Sequence, residues 1–139
     1  MHLNREDRVP IDNEGDIVIV RKAVREISTG MGFSATDVTR IVTAASELAR
    51  NVYHFARSGS LSWRTGNING HQGVELVFVD CGPGIPDVVK ALEMGYTTRK
   101  GLGLGLPGAK RLMDEMEIQS EVGKGTRVTV RKWLNYKGR

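Results

Sequence analysis

The chain has 139 residues, and its 20 Lys and Arg against 16 Asp and Glu give a formal net charge of +4. With 40% apolar and 26% charged residues, its composition is typical of one globular domain, and we expect a single domain over residues 1–139. This length excludes a large multidomain machine. Apart from Arg99–Lys100 and a tail that begins at Arg131, the basic residues are scattered, which argues against a nucleic-acid-binding protein.

The cysteine content and the absence of apolar runs bear on location. Cys81 is the only cysteine, so no intramolecular disulfide can form, and a reducing compartment is favoured. No stretch approaches the roughly 18 apolar residues that a membrane-spanning helix needs. The sequence therefore predicts a cytoplasmic protein with no membrane partner. We expect Cys81, Trp63 and Trp133 to be packing residues.

A short strand and a helix are predicted at the start of the chain. Val9 and Ile11 indicate the strand. Apolar residues recur at helical spacing from Ile17 to Ile27, and Asp16 before them has the character of an N-cap. The first helix is therefore expected to begin at Asp16 and to end at the glycines near residue 30.

A longer second helix follows. Ser34 and Asp37 have the spacing of a capping box, and apolar residues over 38–52 lie on one side of the helix. At 100° per residue, Glu47 and Asn51 lie about 40° apart on the opposite side. A carboxylate there can orient or deprotonate a hydroxyl group, and an amide oxygen suits Mg²⁺. The same pair is also common on solvated helix faces, so alone it does not decide the function.

In the second half of the chain, the sequence predicts pairs of strands. It does not predict single strands that alternate with helices. We expect an α/β (α+β) two-layer sandwich, with a mixed or antiparallel sheet and helices on one face. The predicted strands cover residues 61–65, 74–79, 117–120 and 126–130, and the predicted helices cover 86–94 and 106–115.

The residues after the most apolar strand have binding character. Asp80 ends that strand, and Gly82 and Gly84 follow it. A carboxylate at a strand end can accept a hydrogen bond from the amino group of adenine, and the glycines allow backbone to approach a flat ring. A strand-to-helix turn would carry the same residues.

A glycine-rich segment leads into the predicted helix over 106–115. Gly101, Gly103 and Gly105 precede the start of that helix, where unpaired amides favour phosphate. The segment matches neither the Walker pattern nor the dinucleotide fingerprint. Upstream, Arg99 and Lys100 can neutralise phosphate charge. A flexible glycine loop and a solvated basic loop are the alternatives.

Taken together, these segments resemble a known family. Glu47-x-x-x-Asn51 on a helix, Asp80-x-Gly82-x-Gly84 after a strand, Gly101-x-Gly103-x-Gly105 before a helix and Gly123-x-Gly125-Thr126 at a strand resemble the Bergerat ATP-binding fold of gyrase, Hsp90, histidine kinases and MutL. Within that superfamily the chain is most similar to small bacterial serine kinases, above all the RsbT-type switch kinases of stressosomes. The segments that carry this likeness are 46–51, 80–87, 101–108 and 110–115.

The resemblance implies a role for each matching residue. Glu47 would be the catalytic carboxylate, Asn51 would ligate the Mg²⁺ that bridges the ATP phosphates, and Asp80 would bind adenine with Thr126 helping through water. The remaining implied ATP-binding residues shape the pocket or form a short lid: Gly82, Gly84, Thr98, Arg99, Lys100, Gly101, Leu102, Gly103, Leu104 and Gly105.

The resemblance also implies a function. A kinase of this type uses Mg-ATP to phosphorylate STAS-domain antagonist or scaffold proteins and, once released, binds and activates a PP2C-type phosphatase. One alternative is an anti-sigma factor with kinase activity that holds a sigma factor directly. The other is a non-catalytic module that ATP gates, although such a module has no need for a carboxylate at Glu47.

Overall fold

The computed structural model describes residues 8–84 and 105–134. The predicted helix over 86–94 and the predicted lid lie outside these residues. The described elements are, in chain order, β1 (Arg8–Ile11), α1 (Glu14–Met31), α2 (Ala35–Ala56), β2 (Gly59–Ile68), β3 (His71–Asp80), α3 (Gly105–Leu112), β4 (Glu115–Glu121) and β5 (Gly125–Trp133).

The five strands form one sheet in the order β1-β2-β3-β5-β4. Every neighbouring pair in this sheet is antiparallel. The most apolar strand, β3, is central, and its residues are buried from Gly73 to Phe78. The predicted α/β architecture is confirmed, and of the two sheet types that the sequence left open, the antiparallel one is present.

The core lies between the helices and one face of the sheet. On β3, Val74, Leu76 and Phe78 alternate onto this inner face, and each is at most 2% exposed. They belong to one apolar cluster with the buried side of α2, including Ile41 and Leu48. Burial of a large aliphatic or aromatic side chain contributes about 2 kcal/mol, so this layer dominates the stability of the fold.

Both tryptophans contribute to packing, but the cysteine does not. Trp133 is 4% exposed, and Trp63 packs against the core cluster. Cys81 is exposed, so the expectation that it packs inside the protein is wrong. It follows Asp80 directly, at the point where β3 leaves the sheet and its side chains are no longer covered.

The outer face of the sheet carries an ion-pair cluster. Glu75 stands opposite Arg64 on β2 and Arg131 on β5, and Arg131 stands opposite Glu115 on β4. Arg64 Nε donates to Glu75 Oε1 at 2.7 Å, and Arg131 Nε donates to Glu75 Oε2 at 2.8 Å. The second guanidinium nitrogen of Arg131 contacts Glu115 at 3.0 Å and Glu117 at 2.7 Å. We call these five residues the outer-face cluster.

The charges of this cluster compensate one another. Burial by itself raises the pKa of the Glu75 carboxyl. The hydrogen bonds from Arg64 and Arg131 lower this pKa by more than burial raises it, so the net shift is downward. Arg131 is only 9% exposed, and Lys132 beside it is 7% exposed. The first two residues of the basic tail are therefore structural and form no surface patch.

Helix α1 begins earlier than the sequence predicts. Its N-cap is Asn13 rather than Asp16, and the two residues form a capping box. The Asp16 backbone N–H donates to Asn13 Oδ1 at 3.1 Å, while Asp16 Oδ2 accepts from the Asn13 N–H at 3.3 Å. Asp16 therefore occupies the third position of the helix. An acidic residue near a helix start can act there as well as at the N-cap. The helix ends at Gly32, with φ of 95°.

Helix α2 begins where the sequence predicts. The Ser34 hydroxyl accepts from the Asp37 backbone N–H at 3.1 Å and caps the helix. The Asp37 carboxylate pairs with Arg40 at 2.9 Å and lies 3.9 Å from Lys132 Nζ. The Ser34 half of the capping box is thus present, and the Asp37 side chain is used to connect the helix to β5.

Helix α3 ends three residues before the predicted boundary. It ends at Leu112, and Glu115 is the first residue of β4. The Lys132 ammonium donates to the Leu112 carbonyl at 3.0 Å, and the Asp114 N–H donates to the Arg131 carbonyl at 2.9 Å. These contacts with β5 draw the chain into the sheet, which helical periodicity alone could not reveal. Among the described residues, no helix has the length and apolar character needed to cross a membrane.

Candidate functional site

The polar face of α2 carries an ion pair. Arg50 Nη1 donates to Glu47 Oε2 at 2.9 Å, and the Glu47 side chain is 12% exposed. Within residues 8–84 and 105–134, the other carboxylate oxygen, Oε1, is buried and has no hydrogen-bond partner. A buried acceptor without a donor costs about 1–3 kcal/mol, so this oxygen needs an explanation. One is that it accepts a proton, or a hydrogen bond from a hydroxyl group, of a bound substrate.

Asn51 is half-buried and lies on the same side of α2, one turn after Glu47. Its amide oxygen is a ligand that Mg²⁺ accepts. In the described part of the chain, no group of three or more His, Cys, Asp or Glu side chains can hold a metal ion. Because Mg²⁺ is usually held by one or two protein oxygens together with substrate phosphates and waters, a single amide beside a carboxylate fits this mode of binding.

Asp80 is the last residue of β3, and it stands directly opposite Thr126 on β5. Both are half-buried. The Gly82 backbone N–H donates to Asp80 Oδ1 at 2.9 Å, which fixes the orientation of the carboxylate. The pairing of β3 with β5 therefore brings together two side chains that are 46 residues apart in sequence, and both were predicted to be at the adenine.

Ser120 joins this pair and was not predicted from the sequence. Its Oγ lies 2.9 Å from Thr126 Oγ1 and donates to the Gly125 carbonyl at 3.1 Å. Ser120 stands opposite Thr126 in the β4–β5 register. The alternation of side chains along β4 offers a signal, since Ser120 shares a face with Ile118 and Met116, but only the strand register reveals which residue it contacts.

The glycines of this region have packing roles. A Cβ on Gly82 would overlap the Ala56 side chain of α2, and a Cβ on Gly125 would collide with the Asp80 carbonyl. Gly84 has φ of 81°, and a Cβ there would overlap the Glu121 carbonyl. Gly82 and Gly84 were predicted to allow close approach of the backbone to a ring. In the structure, they also allow α2 and the β4–β5 turn to approach the end of β3.

An open cavity of about 340 Å³ adjoins Asp80 and Thr126. Lys124 and Arg127 supply positive charge to its lining, and Glu121 supplies a negative charge. Helix α2 reaches the same region, because a Cβ built on Gly59 would meet both Val52 of α2 and the Asp80 side chain. The helix that carries Glu47 and Asn51 therefore packs against the end of β3 that carries Asp80.

Helix α3 packs against α2. Its first residue, Gly105, is buried and is the only residue of the predicted phosphate loop that is described. The other predicted loop and lid residues lie outside the described residues: Thr98, Arg99, Lys100, Gly101, Leu102, Gly103 and Leu104. The structure therefore brings Asp80 and Thr126 together and positions Glu47 and Asn51 on the adjoining helix.

Comparison with protein families gives one match over most of the chain. The model of the histidine kinase-like ATPase domain matches residues 9–132. The chain belongs to this family. The predicted Bergerat-type fold is thereby confirmed, and family membership implies that the protein uses ATP.

Comparison with individual proteins indicates which members of the family the chain resembles. The chain is 44% identical over 132 residues to the serine/threonine-protein kinase RsbT of Bacillus subtilis (strain 168), covering 95% of this chain and 99% of that protein. It is 30% identical over 139 residues to an anti-sigma F factor of Clostridium beijerinckii, covering 89% and 96% of the two chains. The predicted likeness to RsbT-type kinases and the enzyme class, a protein serine/threonine kinase, are confirmed. The two relatives together support a kinase of the partner-switching type.

Solved structures share the fold. A crystal structure of the RsbU and RsbW domains of Rv1364c from Mycobacterium tuberculosis matches 95% of the chain with a TM-score of 0.64 and 20% identity. The full-length ShkA structure in complex with AMPPNP matches 94% with a TM-score of 0.59 and 22% identity. The chain spans only about a third of each of these longer proteins, 34% and 32% respectively. At these identities the likeness concerns the fold alone.

Proposed function

We propose that this protein is a Mg-ATP-dependent kinase that phosphorylates a serine or threonine of STAS-domain antagonist or scaffold proteins. The observation that carries the proposal is the Glu47 carboxylate. One of its oxygens is held by Arg50, and within the described chain the other is buried and unpaired. An acceptor in this state suits the removal of a proton from a hydroxyl nucleophile, and general-base catalysis of this kind contributes about 10²- to 10⁴-fold to a rate.

Asn51 is proposed to hold the metal. Its amide lies one helical turn after Glu47 and would supply one oxygen, while ATP phosphates and waters would supply the others. When bound, Mg²⁺ would neutralise phosphate charge. In the same proposal, the segment from Thr98 to Gly105 binds the phosphates, with Arg99 and Lys100 as the cations of the lid.

Asp80 and Thr126 are proposed to bind adenine. The backbone N–H of Gly82 occupies Asp80 Oδ1, which leaves Oδ2 to accept from the 6-amino group of the base. Thr126 stands beside it and would contact the base through water. The AMPPNP in the ShkA complex shows that a protein with this fold binds an adenine nucleotide, which supports the proposal.

Phosphorylation is proposed to act as a switch between partners. A phosphate adds about two negative charges to the acceptor residue, which can break one protein complex and release the kinase. The released kinase would then bind and activate a PP2C-type phosphatase. The 44% identity to RsbT supports this role. A cytoplasmic location and a single domain are part of the same proposal.

The first test is phosphate transfer from γ-labelled ATP to the STAS-domain proteins of the same organism. We expect wild-type protein to label at least one of them in the presence of Mg²⁺. Glu47→Gln, which keeps the size of the side chain and removes the basic oxygen, should bind ATP as before and lower phosphate transfer by 10²-fold or more.

Two outcomes would overturn the proposal. If the wild-type protein binds ATP and labels none of these proteins, the substrate assignment is wrong, and a module gated by ATP becomes the better account. If Glu47→Gln loses ATP binding and transfer together, Glu47 is part of nucleotide binding rather than the catalytic base.

An anti-sigma factor with kinase activity is the second candidate. The 30% identity to an anti-sigma F factor over 89% of the chain supports it. The two candidates differ in the complex that the protein forms when its STAS-domain substrate is phosphorylated. Association with a sigma factor, measured with purified components, would favour the anti-sigma factor, whereas association with a PP2C-type phosphatase would favour the switch kinase.

A further inference from the structure

We propose that Arg50 is a positioning residue for the Glu47 carboxylate. This inference rests on the proposed role of Glu47 as the base, and it adds a residue that the sequence motif does not contain. Arg50 Nη1 donates to Glu47 Oε2 at 2.9 Å, and this contact decides which carboxylate oxygen is left for the substrate.

The need for such a residue follows from the burial of the carboxylate. A glutamate side chain has several rotatable bonds, and an unpaired carboxylate turns toward water when it can. Within residues 8–84 and 105–134, Glu47 Oε1 is nonetheless buried and has no hydrogen-bond partner. The contact with Arg50 offsets part of the cost of this state, because a hydrogen bond from a charged donor to a charged acceptor is stronger than one between neutral groups.

The backbone beneath the pair is also fixed. Ser46, directly before Glu47, is 3% exposed, and its hydroxyl accepts from Arg21 Nη1 of α1 at 3.3 Å. Helix α2 is therefore tied to α1 next to the carboxylate. With the backbone fixed, the Arg50 contact controls the one freedom that remains, which is the rotation of the Glu47 side chain.

A second ion pair on the same helix provides a reference. Arg40 Nη1 contacts Asp37 Oδ1 at 2.9 Å, again three residues apart. The Arg50 and Glu47 side chains are 30% and 12% exposed, whereas those of Arg40 and Asp37 are 50% and 23% exposed. The two pairs have the same spacing and length, so Arg40 controls for the general effect of removing an arginine from α2.

The experiment compares Arg50→Met with Arg40→Met. Methionine keeps the apolar stem and removes the guanidinium. We expect Arg50→Met to lower kcat for phosphate transfer about 10- to 100-fold, because a misoriented base loses its near-attack geometry, while the KM for ATP changes less than threefold. Arg40→Met should keep kcat within twofold of wild type. Arg50→Lys, which restores a cation without the planar fork, should recover part of kcat.

A double-mutant cycle separates positioning from other roles. If Arg50 acts through Glu47, adding Arg50→Met to Glu47→Gln causes no further loss of kcat. A further loss of tenfold or more would mean that Arg50 acts on the substrate itself and would overturn the inference. An increase in KM for ATP with kcat unchanged would identify Arg50 as a nucleotide ligand and would overturn it as well.

The inference and the proposed function fail in different ways. If Glu47→Gln retains phosphate transfer, the proposed base is wrong. If Glu47→Gln abolishes transfer and Arg50→Met retains it, only the role of Arg50 is wrong. Thermal unfolding completes the test: Arg40→Met, which removes an exposed pair, should stay close to the wild-type Tm, whereas Arg50→Met, which leaves a buried carboxylate without its partner, should lower the Tm, so kinetics are compared well below the Tm of both variants.

Discussion

Glu47 on α2 and Glu75 on β3 are both glutamates paired with arginine, yet their carboxylates are used differently. Both oxygens of Glu75 accept hydrogen bonds, one from Arg64 and the other from Arg131. Glu47 has one oxygen bonded to Arg50, and within the described residues its other oxygen is buried and unpaired. A carboxylate with both oxygens satisfied stabilises the fold, whereas one with an unused buried oxygen keeps a reactive atom available at some cost in stability.

Neutralising each carboxylate in turn tests this difference most directly. We expect Glu47→Gln to lower phosphate transfer by 10²-fold or more and to change the free energy of unfolding by less than about 1 kcal/mol. Glu75→Gln should keep kcat within twofold and lower the free energy of unfolding by about 1–3 kcal/mol, because it removes the charge that two guanidinium groups share. Kinetics and urea unfolding of both variants check this, and a Glu75→Gln variant that is inactive yet stable would contradict it.

Removal of Arg131 should have the largest effect on stability. It contacts Glu75, Glu115 and Glu117, so Arg131→Met leaves three carboxylates close together. Breaking a buried ion pair from one side costs about 3–5 kcal/mol, and two of these three carboxylates are near half exposed, so we expect about 3 kcal/mol. Arg40→Met, which removes an exposed pair, is the control and should cost less than about 1 kcal/mol in the same urea unfolding experiment. Equal losses in the two variants would show that the outer-face cluster contributes no more to the free energy of unfolding than an exposed ion pair does.

Asp80→Asn should affect ligand binding and leave stability almost unchanged. The amide keeps an oxygen for the Gly82 N–H but places an NH₂ donor where the carboxylate oxygen would accept from the amino group of the base, so that hydrogen bond is lost. We expect ATP affinity to fall about 10- to 100-fold by calorimetry. Glu121→Gln, at an exposed carboxylate that lines the same cavity, should change ATP affinity less than threefold. If both variants bind equally weakly, general electrostatics rather than a contact with the base governs affinity.

The smallest expected effect is the pH dependence of the contribution that Glu75 makes to the free energy of unfolding. Because the folded pKa of Glu75 is lower than its value in the unfolded chain, its stabilising contribution is complete above the unfolded value of roughly 4.3 and is lost as the pH falls through the folded value. The difference in free energy of unfolding between wild type and Glu75→Gln should therefore be constant from pH 7 to about pH 5 and shrink below about pH 4. Urea unfolding at pH 7 and pH 3.5 measures it. A difference that grows on acidification would contradict the assigned sign.

Local periodicity predicted the elements well because it depends on neighbouring residues. The apolar series of α2 and its Ser34 cap follow from spacing alone. Boundaries set by contacts distant in sequence were missed. Helix α3 ends early because β5 binds its last carbonyl and the residues after it, and no feature of residues 106–115 signals this.

The candidate site was predictable to the same extent. Glu47 and Asn51 share a helix face, which the period of 3.6 residues reveals. That Asp80 stands opposite Thr126 depends on the register of β3 with β5, and the resemblance to a family, rather than the spacing, pointed to it. The outer-face cluster joins Glu75 to Arg131, 56 residues later, and could not be inferred from the sequence. The contact of Arg50 with Glu47 could have been predicted from the sequence, because residues three apart on a helix are neighbours.

The exposed thiol at the end of β3 makes the protein convenient to label. Cys81 is the only cysteine of the chain, it is exposed, and it follows Asp80 directly. A thiol-reactive fluorophore would therefore attach at one position, beside the proposed adenine site, without any substitution. Such a conjugate offers an optical titration of nucleotide that needs neither radioactive phosphate nor a known protein substrate.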